Sequence, residues 1–240
     1  MREITIQQSS ENQAKTQRTG FFASNGFAQI FVSVVDLIFP PRCAGCGKVD
    51  TPWCAGCQAD LETLTPIFRQ DTPEYLQVVA ATGWHTGKLQ QAIHALKYDN
   101  AQSLAAYPLG ERLTALLDAQ HWTIDMLIPV PLHAARMQER GYNQAQLLGE
   151  YIAANRMIPC RPDAIQRIRS TRSQVGLNAA ERAENVLEAF SAAPELVVDQ
   201  TILLIDDVYT TGATLTACAQ AALAAGARAV YGLTLSSAHN

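Results

Sequence analysis

Residues 203 to 214 read LLIDDVYTTGAT, an aliphatic run that ends in two adjacent acids and a loop of threonines around a glycine. Carboxylates accept hydrogen bonds from paired hydroxyls, while hydroxyl donors and backbone N–H groups at the start of a helix surround an anion. Asp206 and Asp207 followed by Thr210, Thr211, Gly212, Ala213 and Thr214 therefore describe a grip for a ribose 5-phosphate, the sugar at the acids and the phosphate at the loop. Gly212 permits the close approach, because a side chain there would hold the phosphate oxygens away from the backbone. An ATP-binding Walker loop is excluded: it needs Lys after its last Gly, where this chain has Ala213. Two other readings stay open, direct coordination of Mg²⁺ by the acids and a plain turn whose Asp and Thr residues cap a helix. Capping needs only one such residue and leaves a doublet of acids at an apolar strand end unexplained.

A second pattern offers metal chemistry. Cys43 and Cys46 form one C-x-x-C and Cys54 and Cys57 another, with Gly45, Gly47 and Gly56 beside them to allow tight turns. Four thiolates at this spacing close a tetrahedral structural Zn²⁺ site, and metal binding supplies folding free energy that so small a module lacks. Disulfides, with no export signal to favour them, and a redox pair, for which one C-x-x-C suffices, are the competing readings. Cys160 and Cys218 have no neighbouring ligands and read as small buried apolar residues.

The elements that position these residues follow from the rest of the chain. Its 240 residues, 48% of them hydrophobic, provide one sizeable core and a small appendage. A net charge of −4 and a pI near 5.7 argue against a broadly basic nucleic-acid surface, without excluding a local one. Residues 1–26 are polar and read as a disordered tail; 27–62 hold an amphipathic stretch and the metal module; 75–240 form the main domain. In the amphipathic stretch Asn25, Gln29, Ser33 and Asp36 interrupt the apolar run, which favours a surface stripe over stable membrane insertion. LETLTPIFRQDTPEYL reads as a linker. Strands are expected at 78–84, in DMLIPVPL, in TILLID and in AVYGLTLSS. Helices are expected at 87–98, at 103–120 with a break near Pro108, in YNQAQLLGEYIAANR, in NAAERAENVLEAF and in TLTACAQAALAAGA. Alternating strands and helices with fully apolar strands imply an α/β fold, a mostly parallel sheet covered by helices on both faces. In such sheets ligands sit at the carboxyl ends of the strands, where TILLID delivers its acids.

The aliphatic triplet, two acids, two variable positions and T-T-G-A-T resemble the phosphoribosyl pyrophosphate signature of type I phosphoribosyltransferases. CAGCG…CAGC, LKY, PVPLHAARMQERGYNQA, TRSQVGLNAAERAENVLEAF and LLIDDVYTTGATLTACAQAALAAGA, in this order, are similar to the ComF/GntX competence-associated family across roughly residues 30 to 237. The resemblance implies a Rossmann-like phosphoribosyltransferase core with an N-terminal zinc module, in a cytoplasmic bacterial protein linked to DNA uptake or processing. It implies phosphoribosyl pyrophosphate or a nucleotide as ligand, with Mg²⁺. If the protein turns over, pyrophosphate leaves C1 through an oxocarbenium-like transition state, to an acceptor the residues do not name.

By the same resemblance, Arg136 and Arg140 beside Gly141 stand where such enzymes meet pyrophosphate, for which guanidinium forks are suited. One of Asn143 and Gln144 is expected to cap the next helix. Lys97, ending the ALKY helix, is either a ligand or a complement to the helix dipole. TRSQVGL looks like the mobile loop that closes over the reacting centre, with Arg172 and Gln174 as its first candidates and Arg182 and Asn185 at its exit, unless these arginines are a solvated face. His133 is the histidine nearest the pyrophosphate loop in sequence, and a lone histidine is commonly structural. Trp84, Tyr98 and Tyr142 are candidates to stack on an acceptor and suit a core equally. The alternative to an enzyme is an adaptor that senses nucleotides or handles single-stranded DNA or DNA-processing proteins, using the arginines for strand phosphates.

Overall fold

The computed structural model describes residues 40–69, 74–168 and 189–239. The chain divides into two units, Met1–Pro40 and Pro41–Asn240, and every element below belongs to the second. The tail and the amphipathic stretch expected before residue 40 lie outside the described residues, as do Arg172, Gln174, Arg182 and Asn185.

In chain order the first elements are α1 (Ala55–Glu62), β1 (Ile67–Arg69), β2 (Val79–Ala81), α2 (Gly87–Tyr98), α3 (Leu109–Asp118), β3 (Met126–Pro129), α4 (Ala134–Arg140) and α5 (Gln144–Arg156). They are followed by β4 (Ile165–Arg167), β5 (Phe190–Ala192), α6 (Pro194–Val197), β6 (Thr201–Tyr209), α7 (Ala213–Ala224) and β7 (Ala229–Ser237). The main sheet runs β1-β2-β7-β6-β3, with β2, β7, β6 and β3 parallel and β1 antiparallel at one edge. β4 and β5 form a separate antiparallel pair.

The apolar run of β6 explains the layering. Successive side chains of a strand point to opposite faces, so Leu203 and Ile205 meet Leu96 of α2, Leu113 of α3 and Leu148 of α5. Ile202 and Leu204 meet Leu215 and Cys218 of α7, together with Ile165 of β4 and Phe190 of β5. Both faces are dry, as a parallel sheet requires, and each buried Leu or Ile contributes roughly 2 kcal/mol. Among the described residues no helix is long and apolar enough to cross a membrane.

The bounds of α2 and β7 are those expected from periodicity. Several stretches differ: β4 and α6 were not expected, and Phe190, expected to end the helix NAAERAENVLEAF, opens β5, the rest of that helix before residue 189 lying outside the described residues. The expected linker contains β1, whose three residues pair along β2 and are too few to show a period of their own. The arginine-bearing segment after β3 is a helix, α4, none of whose residues is buried, so it carries no apolar stripe for the eye to find. His133 starts α4 by accepting the Ala135 N–H at 3.2 Å, and Gly141 ends it at φ 78°.

Candidate functional site

β6 carries its two acids to the carboxyl edge of the sheet and, by strand alternation, presents them to different faces. Asp207 is buried on the side of α2 and α5. It accepts from Lys97 Nζ at 2.6 Å through Oδ1 and from Gln144 Nε2 at 2.5 Å through Oδ2. Asp206 lies toward α7, where its charge and burial push up the thiol of Cys218, burial being the larger cause. The Asp206 carboxylate accepts the N–H of Asp207 at 2.8 Å. Its own pKa is pushed up to about 7 by desolvation and by the neighbouring Asp207 charge, against the pull of that N–H and of Lys97. The doublet is thus one acid with a built-in counter-ion and one that changes charge near neutrality.

Past the acids, Thr210 and Thr211 are exposed and Ala213 and Thr214 partly so. Gly212 adopts φ 76°, and a Cβ there would stand 2.5 Å from the Tyr209 hydroxyl, so both the left-handed backbone and the packed ring demand glycine. Gly212 begins α7 and has no side chain to cap it; the Ala213 N–H reaches the Thr211 hydroxyl at 3.4 Å, and the remaining first-turn N–H groups of the twelve-residue helix face the loop.

The arginines approach from the other side. Lys97, Tyr98, Asn100, Arg136, Glu139, Arg140 and Tyr142 line a cleft of about 690 Å³. Its three cations against one acid suit a polyanion. Lys97 is common to the cleft and to Asp207, and Arg140 reaches the same acid indirectly by donating to Gln144 Oε1. Arg140 also stands over the exposed ring of Tyr98, 5.4 Å from its centroid. Tyr142 is buried and donates its hydroxyl to the Leu96 carbonyl. The threonine loop lies at the end of Asp207's strand, outside the residues lining this cleft. Arg172 and Gln174 lie outside the described residues.

Two residues of this edge, Gln144 and His85, escaped sequence reasoning as site residues. One of Asn143 and Gln144 was expected to cap the helix, and Asn143 does so by accepting the Ala145 N–H at 3.0 Å, with Gln144 as the first helical residue. His85, in the turn after β2, shares a 2.8 Å hydrogen bond between its Nδ1 and the hydroxyl of Ser236 on β7. Burial lowers its pKa, Lys97 lowers it further, and Asp207 opposes them. His133, by contrast, only caps a helix.

The thiol cluster is a second centre. Cys43, Cys46, Cys54 and Cys57 bring their sulfurs within 4.8 Å of one another. The pairs Cys43–Cys57 and Cys46–Cys54 are 3.7 and 3.6 Å apart. A tetrahedron with metal–sulfur arms of about 2.3 Å has edges of about 3.8 Å, so the donor set fits a thiophilic divalent ion. The Cys54 N–H points at Cys43 Sγ (3.3 Å) and the Cys57 N–H at Cys54 Sγ (3.5 Å). The latter bond is the main reason the Cys54 thiol falls to about 6, while burial pushes Cys57 up. A Cβ on Gly45 would be 2.7 Å from Cys57 Sγ. Its carbonyl accepts from Lys88 Nζ of α2 at 2.5 Å, and Trp53 and Leu61 share the core of Leu89 and Ile93.

No family model matches the chain. Among curated proteins it is similar to Competence protein F of Haemophilus influenzae, 30% identical over 185 residues, 72% of this chain and 80% of that one. It is 33% identical to DNA utilization protein YhgH of Escherichia coli K12 over 198 residues, covering 78% and 85% of the two chains. With Competence protein ComFC of Bacillus subtilis it shares 35% identity over 113 residues, 46% and 43% of the chains. A solved structure of Leishmania donovani UMP synthase overlaps 74% of this chain and 29% of its own length at 15% identity and a TM-score of 0.32, a likeness too slight to assign any residue a role. Identity sustained over most of both chains in the Haemophilus and Escherichia proteins shows that this chain belongs to the ComF family.

Proposed function

We propose that the carboxyl edge of the sheet binds phosphoribosyl pyrophosphate, or a nucleotide with the same sugar phosphate, and that the protein serves DNA uptake or use. The observation that carries this reading is Asp207, fixed by Gln144 and by Lys97 of a cation-lined cleft, on the strand that leads into the threonine loop at the start of α7. In this reading Thr210, Thr211 and Thr214 with the N–H groups of Gly212 and Ala213 hold the 5-phosphate, far from the bond to be broken. Asp206 and Asp207 accept the ribose hydroxyls. Lys97, Arg136 and Arg140 neutralise the pyrophosphate, whose departure is assisted electrostatically. Arg172 and Gln174 remain our candidates for the closing loop. Mg²⁺, which would spread the pyrophosphate charge, arrives with the ligand's own oxygens; the only group of three or more candidate ligands among the described residues is the four cysteines. That cluster holds structural Zn²⁺ in the same proposal.

Calorimetric titration with phosphoribosyl pyrophosphate and Mg²⁺ tests the reading. Asp206→Asn with Asp207→Asn should weaken binding at least about tenfold, as expected when charge-assisted hydrogen bonds are lost. Heat of binding that is absent, or unchanged in the double variant, refutes the assignment. Pyrophosphate released with a candidate base marks a transferase. A second reading, a single-stranded nucleic acid in the cleft, is favoured by exposed Tyr98 beneath Arg140, which offers a stacking face among cations. Titration with a short oligonucleotide, losing affinity in Tyr98→Ala, separates it from the first.

A further inference from the structure

We infer that Gln144 is a positioning residue that couples the anion-binding cleft to the acid edge, so that an anion at Arg140 and a sugar hydroxyl at Asp207 are sensed through one side-chain amide. The inference rests on the sugar-phosphate reading above.

The local sequence frees Gln144 for this part. Asn143 is spent on structure: its Oδ1 accepts the Ala145 N–H and its Nδ2 donates to the Val130 carbonyl, both at 3.0 Å. Gln144, the first residue of α5, needs no capping duty and is only 4% exposed. A buried amide with two different ends must satisfy both. Its oxygen faces the Arg140 guanidinium and its nitrogen faces Asp207 Oδ2. The reverse orientation would set oxygen against carboxylate and N–H against guanidinium, so the charges on either side lock the amide. A Glu in this place would add a carboxylate beside Asp207, and an apolar residue would leave Asp207 one donor short.

The lock makes the two sides interdependent. Arg140 lines the cleft and Lys97 lines it too, and both act on Asp207, one through Gln144 and the other directly. An anion that draws on Arg140 weakens its hold on the Gln144 oxygen, and the amide's bond to Asp207 is polarised in step. Coupling of this kind is reciprocal. A residue that merely filled space would give neither a shared response nor a coupling factor.

Two measurements on the whole protein decide it. In the ligand-free state the side-chain amide resonance of Gln144 should shift in Arg140→Met and again in Asp207→Ala; a resonance indifferent to either overturns the relay, whatever the ligand. In calorimetry with phosphoribosyl pyrophosphate and Mg²⁺, near-isosteric Gln144→Met should weaken binding about tenfold. With Gln144 present, the losses from Arg140→Met and Asp207→Asn should fall short of multiplying by about fivefold, and in the Gln144→Met background they should multiply. Losses that multiply in both backgrounds also overturn it. If the unaltered protein binds no phosphoribosyl pyrophosphate, the sugar-phosphate reading falls, and the resonance test still judges the relay by itself.

Discussion

Two clusters of titratable groups lie at the two ends of α2, and they are held by opposite means. At one end four sulfurs crowd together with only backbone N–H groups and each other as partners, and among the described residues no Lys or Arg bonds a sulfur. At the other, Asp207 is buried together with its own cation and an amide donor. In the first cluster the Cys57 N–H draws the Cys54 thiol down to about 6 while burial pushes Cys57 up, so a thiophilic ion would be needed for all four to ionise together. The second has its partners within the chain, so the proposed ligand would exchange partners rather than create order.

The largest test of this contrast targets the ion proposed for the four cysteines. Chelation, or Cys54→Ser, should lower the unfolding midpoint by about 10 °C or more, because Trp53 and Leu61 of the module share the core of α2. Scanning calorimetry alongside elemental analysis checks it; a chelator that leaves the midpoint in place would erase the distinction. Next in size is Lys97→Met, which strands a buried carboxylate and should cost about 3 kcal/mol in urea unfolding. Adding Asp207→Asn should return most of that loss, since the uncompensated charge goes with it.

The smallest effect sharpens the comparison within the acid pair. The Asp206 carboxyl, ordinarily near 3.8, reaches about 7 in the folded protein. Between those values the folded chain keeps a proton that the unfolded chain has released, so this group's contribution makes stability fall as pH rises from about 4 to about 7 and stay lowered above. Asp206→Asn should flatten that slope and leave the variant the more stable of the two at pH 8. Urea midpoints at pH 5 and pH 8 give the answer, and an unchanged slope would remove Asp206 as the group that titrates.

What could be read from the sequence was whatever is local. α2 and β7 have clean periods, and the C-x-x-C pairs and the Asp-Asp-to-Thr run each lie within a short stretch. What could not be read depends on partners far along the chain. Gln144 meets Asp207 across 63 residues and His85 meets Ser236 across 151, and neither Gln nor His advertises a distant partner by its neighbours. α4 was hidden for another reason: a short helix with no buried residue is held by its ends rather than by a stripe.

The lysines of α2 have one more implication. Lys88 is pinned to the Gly45 carbonyl and Lys97 to Asp207, so the helix between them acts as a spacer of set length. Each residue inserted or deleted would swing the far lysine by about 100° and shift it by about 1.5 Å. A change of length inside this span would therefore pull one lysine or the other away from its partner, joining the thiol module and the acid edge through a single count of residues.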